Sequence, residues 1–239
     1  MLSQINNDHV KNLQRYQKVL FQRNSLLKNI KDGKSNEKEI EFWDNRLSEE
    51  AANIFFERNK IIKTIRKSSN EFAKNFNEKI DLNIKYLPKM GRNIENKFLE
   101  DEPSIDEIKL IFYESLKKTH LRDIDQRITT IGPHRDDFDI VFNDAPASIT
   151  ASRGQSRIIS LSLKLSEAKE IRNITKRKPV LILDDIFSEL DEKMREKVVT
   201  EILDFDQILL STADISLIDK KNIKDGKYFS INEGIIKAD

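Results

Sequence analysis

Apolar residues recur at three- and four-residue spacing through one long segment, and this pattern constrains the fold more than any other feature of the sequence. The side chains that follow the pattern are Ile40, Trp43, Leu47, Ile54, Ile61, Ile65, Phe72, Phe76 and Ile80. This spacing places them on one stripe of an α-helix. About 40 residues at roughly 1.5 Å each predict a helix of about 60 Å.

A second apolar stripe precedes this segment and predicts a second helix. It consists of Leu13, Tyr16, Leu20, Leu27 and Ile30, and Arg23 interrupts it. A short polar segment with one glycine, KDGKSNEK, separates the two stripes. Two helices joined by a short polar turn predict an antiparallel hairpin.

The hairpin is expected to occupy about residues 1–85, and Pro88 and Gly91 follow it. A further helix is expected over about residues 104–123, because Ser104 and Glu107 have the spacing of a capping box. Together these helices predict a helical arm domain over residues 1–128.

The composition agrees with long solvated helices, since charged residues make up 35% of the chain and hydrophobic residues only 38%. The net charge of +1 means that any surface for nucleic acid must come from a local patch. The absence of cysteine excludes disulfides and thiolate metal sites. Because no apolar run or secretory signal is present, we expect a cytoplasmic protein without a membrane partner.

The pattern changes at Thr129, and residues 129–239 predict an α/β domain. Alternation in FDIVF predicts a strand that ends in a turn at Asn143-Asp144. A helix then opens at SRGQ. The apolar segment PVLIL predicts a strand that is buried on both faces, and QILLST predicts a second buried strand after a helix that begins at Asp191. Strand, helix and strand at this spacing indicate a parallel sheet covered by helices.

Two adjacent aspartates, Asp184 and Asp185, stand where the first buried strand ends. Ligands of open parallel sheets bind at the carboxyl ends of the strands. One carboxylate there can hold Mg²⁺, and a neighbouring one can orient or deprotonate a water molecule. Successive strand residues point to opposite sides, which permits this division of roles. The alternative interpretation is that the two aspartates only end the strand and begin a turn.

The segment ASRGQSR, residues 151–157, combines Ser152, the backbone of Gly154 and a helix N-terminus. Free N–H groups and the helix dipole favour a phosphate at such a place. The alternative is an ordinary helix start with Ser152 as N-cap. Residues 151–178 also contain eight Lys or Arg and two Glu, which can serve phosphates or form one solvated helix face.

Three ordered motifs, GPHRDDF, ASRGQSRIISLSLKLSEA and PVLILDDIFSELD, resemble the C-terminal half of the RecF family of DNA replication and repair proteins. The segment YQKVLFQRNSLLK also resembles that family's helical domain. RecF proteins resemble the heads of SMC proteins and other ABC-type ATPases. The resemblance therefore implies the partial sheet domain of a P-loop NTPase together with an antiparallel helical hairpin, an α/β fold with a helical arm.

The resemblance implies a role for each motif. Asp184, at the end of a Walker B strand, would coordinate Mg²⁺, and Asp185 would be the catalytic carboxylate. The signature motif, which in such ATPases binds the γ-phosphate of ATP held by the opposing subunit, corresponds to Ser152, Arg153, Gly154 and Gln155. The D-loop, which lies across the dimer interface, corresponds to Ser188, Glu189, Leu190 and Asp191.

Thr212 occupies the position of the switch histidine of many ABC ATPases, and the missing histidine argues against fast hydrolysis. The motif GPHRDD is a mark of the family to which the sequence assigns no role. Within it, His134 and Arg135 can face phosphate or serve structure.

The family's phosphate cradle, G-x-x-x-x-G-K-[ST], has no match in this sequence. The segment Gly33-Lys34-Ser35 is no such cradle, because Lys28 replaces the first glycine and the segment lies between two helices. We therefore expect a truncated RecF-like chain that lacks the Walker A region and is incompetent in ATP hydrolysis by itself.

The resemblance implies an ATP-dependent mediator of replication, recombinational repair and the SOS response, with ATP and Mg²⁺ as cofactors. The implied partners are single-stranded and gapped duplex DNA, a second copy of the chain in an ATP-dependent homodimer, and other recombination mediators. Two alternatives remain open: a structural coiled-coil protein with an inert α/β cap, and a metal-dependent phosphotransfer enzyme that uses Asp184, Asp185 and Glu189.

Overall fold

The computed structural model describes residues 1–90, 103–218 and 226–238. The chain divides into two compact units, each of which is built from two segments. Residues 1–70 and 81–150 form a unit that we name the helix-rich unit. Residues 71–80 and 151–239 form the other, the α/β unit. The expected boundary at residue 129 therefore differs from the division in the structure, which falls at residue 150.

The helix-rich unit begins with the two helices of the expected hairpin. The helices of this part of the chain are α1 (Leu2–Ile5), α2 (Asn7–Lys31), α3 (Ile40–Phe76) and α4 (Ile105–Gln126). Polar side-chain contacts join α2 to α3 in antiparallel order, from His9 and Glu57 at one end to Arg23 and Asp44 towards the other. At 37 residues, α3 is about 55 Å long. The predicted antiparallel hairpin is confirmed.

The third helix of the unit begins as the sequence predicts. The Ser104 hydroxyl accepts from the Glu107 N–H, and the Glu107 carboxylate accepts from the Ser104 N–H at 2.8 Å. These two bonds satisfy backbone donors that a helix start would otherwise leave without partners. The predicted capping box is therefore confirmed, and the helix extends three residues beyond its expected end at Asp123.

The core of the helix-rich unit lies between these helices and is mainly apolar. Its buried side chains are Tyr16, Leu47, Ala51, Ala52, Ile54, Phe55, Tyr86, Met90, Ile108, Phe112, Leu116 and Ile131. Arg23, which interrupts the stripe of α2, is fully buried. Its Nε donates to Asp44 Oδ1 at 2.7 Å, and its Nη1 donates to Asp123 Oδ2 at 2.8 Å. The interruption is thus a charged group inside the fold, neutralised by two buried carboxylates.

A small antiparallel sheet completes the helix-rich unit. Its strands, with the short helix that follows them, are β1 (Leu82–Leu87), β2 (Asp137–Phe142), β3 (Ala145–Pro146) and α5 (Ala147–Thr150). The strand order is β1-β2-β3, and Leu82 of β1 is opposite Phe142 of β2. Asn143 and Asp144 both have positive φ, so the turn predicted there is confirmed.

The prediction that the helical arm continues to residue 85 is wrong, because α3 ends at Phe76 and residues 82–87 form a strand. Leu82, Ile84 and Tyr86 are buried and alternate with more exposed neighbours, which is the period of a strand. The partner strand β2 lies about fifty residues away along the chain. The strand after Thr129 therefore belongs to the helix-rich unit. Gly91, the expected end of the arm, lies outside the described residues.

The α/β unit contains a parallel pair of strands with a helical crossover. Its elements are α6 (Arg153–Thr175), β4 (Val180–Asp184), α7 (Glu192–Ile202), β5 (Gln207–Ser211), β6 (Phe229–Asn232) and β7 (Ile235–Ala238). β4 pairs in parallel with β5, in a register that runs from Val180 and Gln207 to Asp184 and Ser211. The predicted parallel strand–helix–strand unit is confirmed, and β6 and β7 form a separate antiparallel hairpin.

The predictions that β4 is buried on both faces and that β5 is a second buried strand are wrong. Leu181 and Leu183 are buried, but Val180 and Ile182 are 48% and 72% exposed, and Leu209 of β5 is 54% exposed. The described helices therefore cover one face of the pair and leave the other open. Among the described residues, no helix is long and apolar enough to cross a membrane.

Candidate functional site

The carboxyl ends of β4 and β5 bring Asp184 beside Ser211, as the parallel register requires. The Ser211 hydroxyl donates to Asp184 Oδ1, and the Asp185 N–H donates to the Ser211 carbonyl at 3.2 Å. The Asp184 side chain is exposed at this sheet edge. A carboxylate and a hydroxyl oxygen thus face solvent where ligands of parallel sheets bind.

Asp185 lies outside the strand and has a left-handed backbone with φ of +44°. The premise that the two aspartates are successive strand residues is therefore wrong, because β4 ends at Asp184, and the division of roles between them stays a prediction. The carbonyl of Asp185 accepts from Arg157 Nη1 and from the Ser188 hydroxyl. Three hydrogen bonds, counting that of its N–H, thus hold Asp185 in a conformation that is unfavourable for residues with a side chain.

Replacing Asp185 by glycine is expected to raise the free energy of unfolding by about 1 kcal/mol, because glycine adopts positive φ without steric cost. Asp184→Gly is the matched control and is expected to lower this free energy by about 1 kcal/mol, since it removes the bond to Ser211 and places glycine in a strand. Urea unfolding of both variants measures the difference. Equal destabilisation by the two would show that Asp185 is unstrained.

The four residues of the SELD motif, in the loop after Asp185, differ in burial and in their hydrogen bonds. Ser188 and Glu189 are exposed, whereas Leu190 is buried. Asp191 is the N-cap of α7, and its carboxylate accepts from the Met194 N–H at 2.8 Å, which confirms the predicted cap. Glu189 accepts from Arg157 Nε at 3.0 Å. Arg157 therefore ties the loop to the start of α6.

The SRGQ segment begins α6 with a complete capping box. The Ser152 hydroxyl accepts from the Gln155 N–H at 3.3 Å, and the Gln155 side chain accepts from the Ser152 N–H at 2.8 Å. The helix-capping interpretation of Ser152 is confirmed, and a role toward phosphate stays a prediction. Arg153 is exposed. A Cβ built on Gly154 would lie 3.6 Å from the Glu189 carbonyl, which is ordinary contact.

The structure thus brings SRGQ and SELD together within the α/β unit. A cavity of about 190 Å³ lies between them, and its lining includes Gly154, Gln155, Glu189, Leu190 and Asp191. The ion pair of Arg157 with Glu189, at 3.0 Å, also joins α6 to this loop. Two motifs more than thirty residues apart in sequence are therefore one surface.

The basic run over residues 151–178 is largely engaged in local contacts. Pairs join Arg157 to Glu189, Lys164 to Glu167, Lys169 to Glu71 and Lys178 to Asp206, and Arg172 donates to the Asp204 carbonyl. These contacts favour the interpretation of a solvated helix face. The run by itself therefore carries no argument for a phosphate site.

The residues near the sheet edge agree in chemistry with one Mg²⁺ ion. Mg²⁺ in phosphate-binding sites keeps several waters and takes one or two carboxylates together with substrate phosphates. Asp184, with Ser211 beside it, offers such oxygen atoms. Among the described residues, no group of three or more His, Cys, Asp or Glu side chains is placed to hold a metal. A metal there would therefore depend on phosphate oxygens as further ligands.

Thr212, the residue at the switch position, is engaged in a local turn. Its hydroxyl donates to the Asp214 carbonyl at 3.1 Å and accepts from the Asp214 N–H at 3.2 Å. The pKa of Asp214 is lowered, chiefly by hydrogen bonds from Ser216. Thr212 follows Ser211 directly after β5 and so stands at the same strand edge as Asp184.

The GPHRDD motif lies in the helix-rich unit, where the structure gives it a structural role. His134 Nδ1 accepts from the Tyr16 hydroxyl at 2.7 Å, and its Nε2 donates to the Thr129 carbonyl at 3.2 Å. Although His134 is partly exposed, desolvation of its ring lowers its pKa, so the neutral ring that these two bonds require is favoured. Arg135 is exposed.

The first aspartate of the motif, Asp136, accepts hydrogen bonds from α3, from β1 and from the segment after β1. Its Oδ2 accepts from Arg58 Nη1 at 2.8 Å and from the Tyr86 hydroxyl at 2.5 Å, and its Oδ1 accepts from the Lys89 N–H at 2.9 Å. Burial raises the pKa of Asp136, and the three donors oppose that shift. Arg58 also donates to the Pro133 carbonyl, at 2.6 Å. Sequence reasoning missed this cluster because its members are up to 78 residues apart.

Comparison with known proteins agrees with these observations. No family model matches the chain. RecF, the DNA replication and repair protein, of Thermoanaerobacter sp. (strain X514) is 33% identical over 235 residues, and that of Clostridium perfringens (strain SM101 / Type A) is 34% identical over 237 residues. The matches cover 98% and 99% of this chain but only 61% and 62% of the two relatives.

The solved structures of RecF in the RecFOR pathway are similar to this chain throughout its length. The structure named RecF-ATP gives a TM-score of 0.80 at 30% identity, covering 99% of this chain and 60% of the solved one. The structure named RecF-ATPrS gives a TM-score of 0.77 at the same identity. The fold that the chain shares with these structures is part of an ABC-type ATPase head with a helical arm. Within that class, the chain belongs to the RecF family and spans about three fifths of the length of these relatives.

Proposed function

We propose that this chain acts in RecF-type recombination mediation, as the part of an ATPase head that completes a shared ATP site. The observation that carries the proposal is the surface formed by SRGQ and SELD beside the strand end at Asp184. Relatives that are 33–36% identical carry the name DNA replication and repair protein. The alternative of a structural coiled coil with an inert cap leaves this arrangement without an explanation.

In this proposal, the site residues have different roles in binding and hydrolysing an ATP molecule that an opposing copy of the chain holds. Ser152, Arg153, Gly154 and Gln155 present the start of α6 to the γ-phosphate, where free N–H groups favour an anion. Asp184 would hold Mg²⁺, and the bound ion would neutralise negative charge on the phosphates. Asp185 orients or deprotonates the attacking water.

The remaining motif residues would serve the interface between two heads. Ser188, Glu189, Leu190 and Asp191 lie across it, and Thr212 occupies the switch position. Affinity for ATP then drives dimerisation, and hydrolysis reverses it, because a ligand stabilises the state that it binds. Slow ATP hydrolysis, which is expected without a switch histidine, would keep such an ATP-bound dimer together for longer.

The exposed apolar face of β4 and β5 supports the proposal that the phosphate cradle is carried on other polypeptide. Val180, Ile182 and Leu209 would be covered by that polypeptide, since burial of apolar side chains stabilises such contacts. The chain by itself is then expected to bind ATP weakly and not to hydrolyse it. We further propose a cytoplasmic location, a role in the SOS response, and contacts with other recombination mediators and with single-stranded or gapped DNA.

The test joins the chain to the part of a RecF relative that it does not match. ATP is expected to convert this hybrid from monomer to dimer in sedimentation velocity and to increase its retention of gapped DNA. Asp185→Asn is expected to prolong the ATP-bound dimer, because the chemical step slows while binding persists.

The 239-residue chain by itself, which carries no phosphate cradle, is the negative control. If this chain hydrolyses ATP by itself and Asp185→Asn abolishes that activity, the result would instead support the alternative of a metal-dependent phosphotransfer enzyme. A hybrid that stays monomeric with ATP and retains no DNA contradicts the proposed function.

A further inference from the structure

A second cavity of the α/β unit is lined by more lysines than any other type of side chain. It has a volume of about 630 Å³ and lies between the end of α3, with the residues that follow it, and the first turns of α7. Its charged lining residues are Lys74, Glu78, Lys79, Asp191, Lys193 and Lys197. Four cations therefore face two carboxylates across one opening.

Some charged side chains of this lining make hydrogen bonds within the protein, and others are exposed. Lys197 Nζ donates to the Phe76 carbonyl at 2.8 Å, where a cation is favourable because α3 ends there. The Asp191 carboxylate accepts from the Met194 N–H. Lys79 and Lys193 are exposed, and neither has an ion-pair partner within the described part of the chain. Lys79 and Lys193 thus place two positive charges at the cavity that no ion pair within the described residues neutralises.

We propose that this lysine-lined cavity binds the phosphodiester backbone of DNA, an inference that rests on the proposed function. Lysine ammonium groups are mobile point charges that pair with phosphates without reading base sequence. The lining offers no exposed aromatic ring for stacking bases, because Phe76 is buried. Recognition of the backbone, and not of the bases, is what such a surface provides.

The lysine-lined cavity adjoins the cavity between SRGQ and SELD. Asn77, Asp191 and Met194 line both of them. Asp191 ends the SELD motif and begins α7, from whose first turns Lys193 and Lys197 extend. A DNA strand held by these lysines would therefore contact the element that starts at the proposed ATP interface.

The test measures binding of a fluorescent oligo(dT) strand to the full 239-residue chain over a range of salt concentrations. The variant Lys79→Gln/Lys193→Gln removes two exposed charges and is expected to fold normally. Each lost phosphate contact lowers the salt dependence, the slope of log K against log salt, by about 0.7 for a single strand. The double variant is therefore expected to lose about 1.4 in slope and to bind several-fold more weakly.

Lys176→Gln/Lys237→Gln is the matched control, because it removes the same charge from exposed lysines of the same unit that line neither cavity. Equal slopes and affinities for the two double variants overturn the inference and leave the proposed function standing. A wild-type chain that binds no DNA overturns the inference, and the hybrid then decides separately on the proposed function. Weakened binding of a fluorescent ATP analogue with unchanged DNA binding would assign the cavity to nucleotide phosphates and overturn the inference too.

Discussion

Replacing Arg23 by methionine is expected to lower the free energy of unfolding by about 3 kcal/mol, because two carboxylates inside the protein would lose their shared cation. Asp44 and Asp123 are fully buried, as is Arg23 itself. The Arg23 Nη1 also donates to the Thr129 hydroxyl at 2.7 Å. The loss therefore reaches α2, α3, α4 and the segment after α4.

Two features of the cluster limit the size of this effect. His120 Nε2 also contacts Asp44 Oδ2, and the Thr119 hydroxyl donates to Asp123, so neither carboxylate is left without a partner. Arg23 Nη2 is buried without a hydrogen-bond partner among the described residues, and methionine removes that unsatisfied donor. These contributions offset part of the penalty for two unneutralised charges.

Urea unfolding measures the change, with Arg46→Met as the matched control. Arg46 lies on α3 and pairs with Glu49 at 3.0 Å, but both side chains are about half exposed. Its replacement is expected to change the free energy of unfolding by no more than about 0.5 kcal/mol. Adding Asp44→Asn and Asp123→Asn to Arg23→Met should recover stability, because the buried charges disappear. Equal effects of Arg23→Met and Arg46→Met would contradict the prediction.

Gly132→Ala is expected to destabilise the protein by about 3 to 5 kcal/mol, through backbone strain and a clash in the core. Gly132 has φ of +125° and ψ of 174°, a region that is essentially restricted to glycine. A Cβ there would lie 2.5 Å from the Tyr16 hydroxyl oxygen and 3.2 Å from His134 Nδ1. The methyl group would thus separate the two groups whose hydrogen bond fixes His134.

Gly33→Ala separates the effect of the backbone from that of the clash. Gly33 has φ of +71°, and a Cβ built on it meets nothing within 4 Å. Its replacement is expected to cost only about 1 kcal/mol, the usual penalty for a left-handed residue with a side chain. Thermal or urea unfolding of the two variants gives the comparison. A Gly132→Ala protein as stable as Gly33→Ala would show that the core around Tyr16 adapts.

Several parts of the fold follow from short segments of sequence. The capping boxes at Ser104 and Ser152 involve groups three residues apart, and the N-cap at Asp191 is equally local. The hairpin of α2 and α3 follows from two apolar stripes and a polar turn. The parallel pairing of β4 with β5 follows from strand, helix and strand in close succession. In each case the determining contacts lie within one element or between neighbours in the chain.

Other parts have no local signature. The strand β1 was missed, because its pairing with β2 depends on residues about fifty positions away. The open face of β4 and β5 was also missed, since an apolar strand sequence does not say what covers each side. The left-handed conformation of Asp185 depends on Arg157 and Ser188 and cannot be read from adjacent aspartates.

The sequence by itself determined the helical hairpin, the parallel strand pair and the family, because periodicity, capping and ordered motifs are local properties. Only the tertiary structure decided that Arg23 is a buried partner of Asp44 and Asp123, 21 and 100 residues away. It likewise decided that SRGQ and SELD share one surface and that His134 and Asp136 stabilise the helix-rich unit. These arrangements depend on how elements that are distant in sequence pack against each other. The partners of a charged residue within an apolar stripe lie on other helices, so the stripe alone does not identify them.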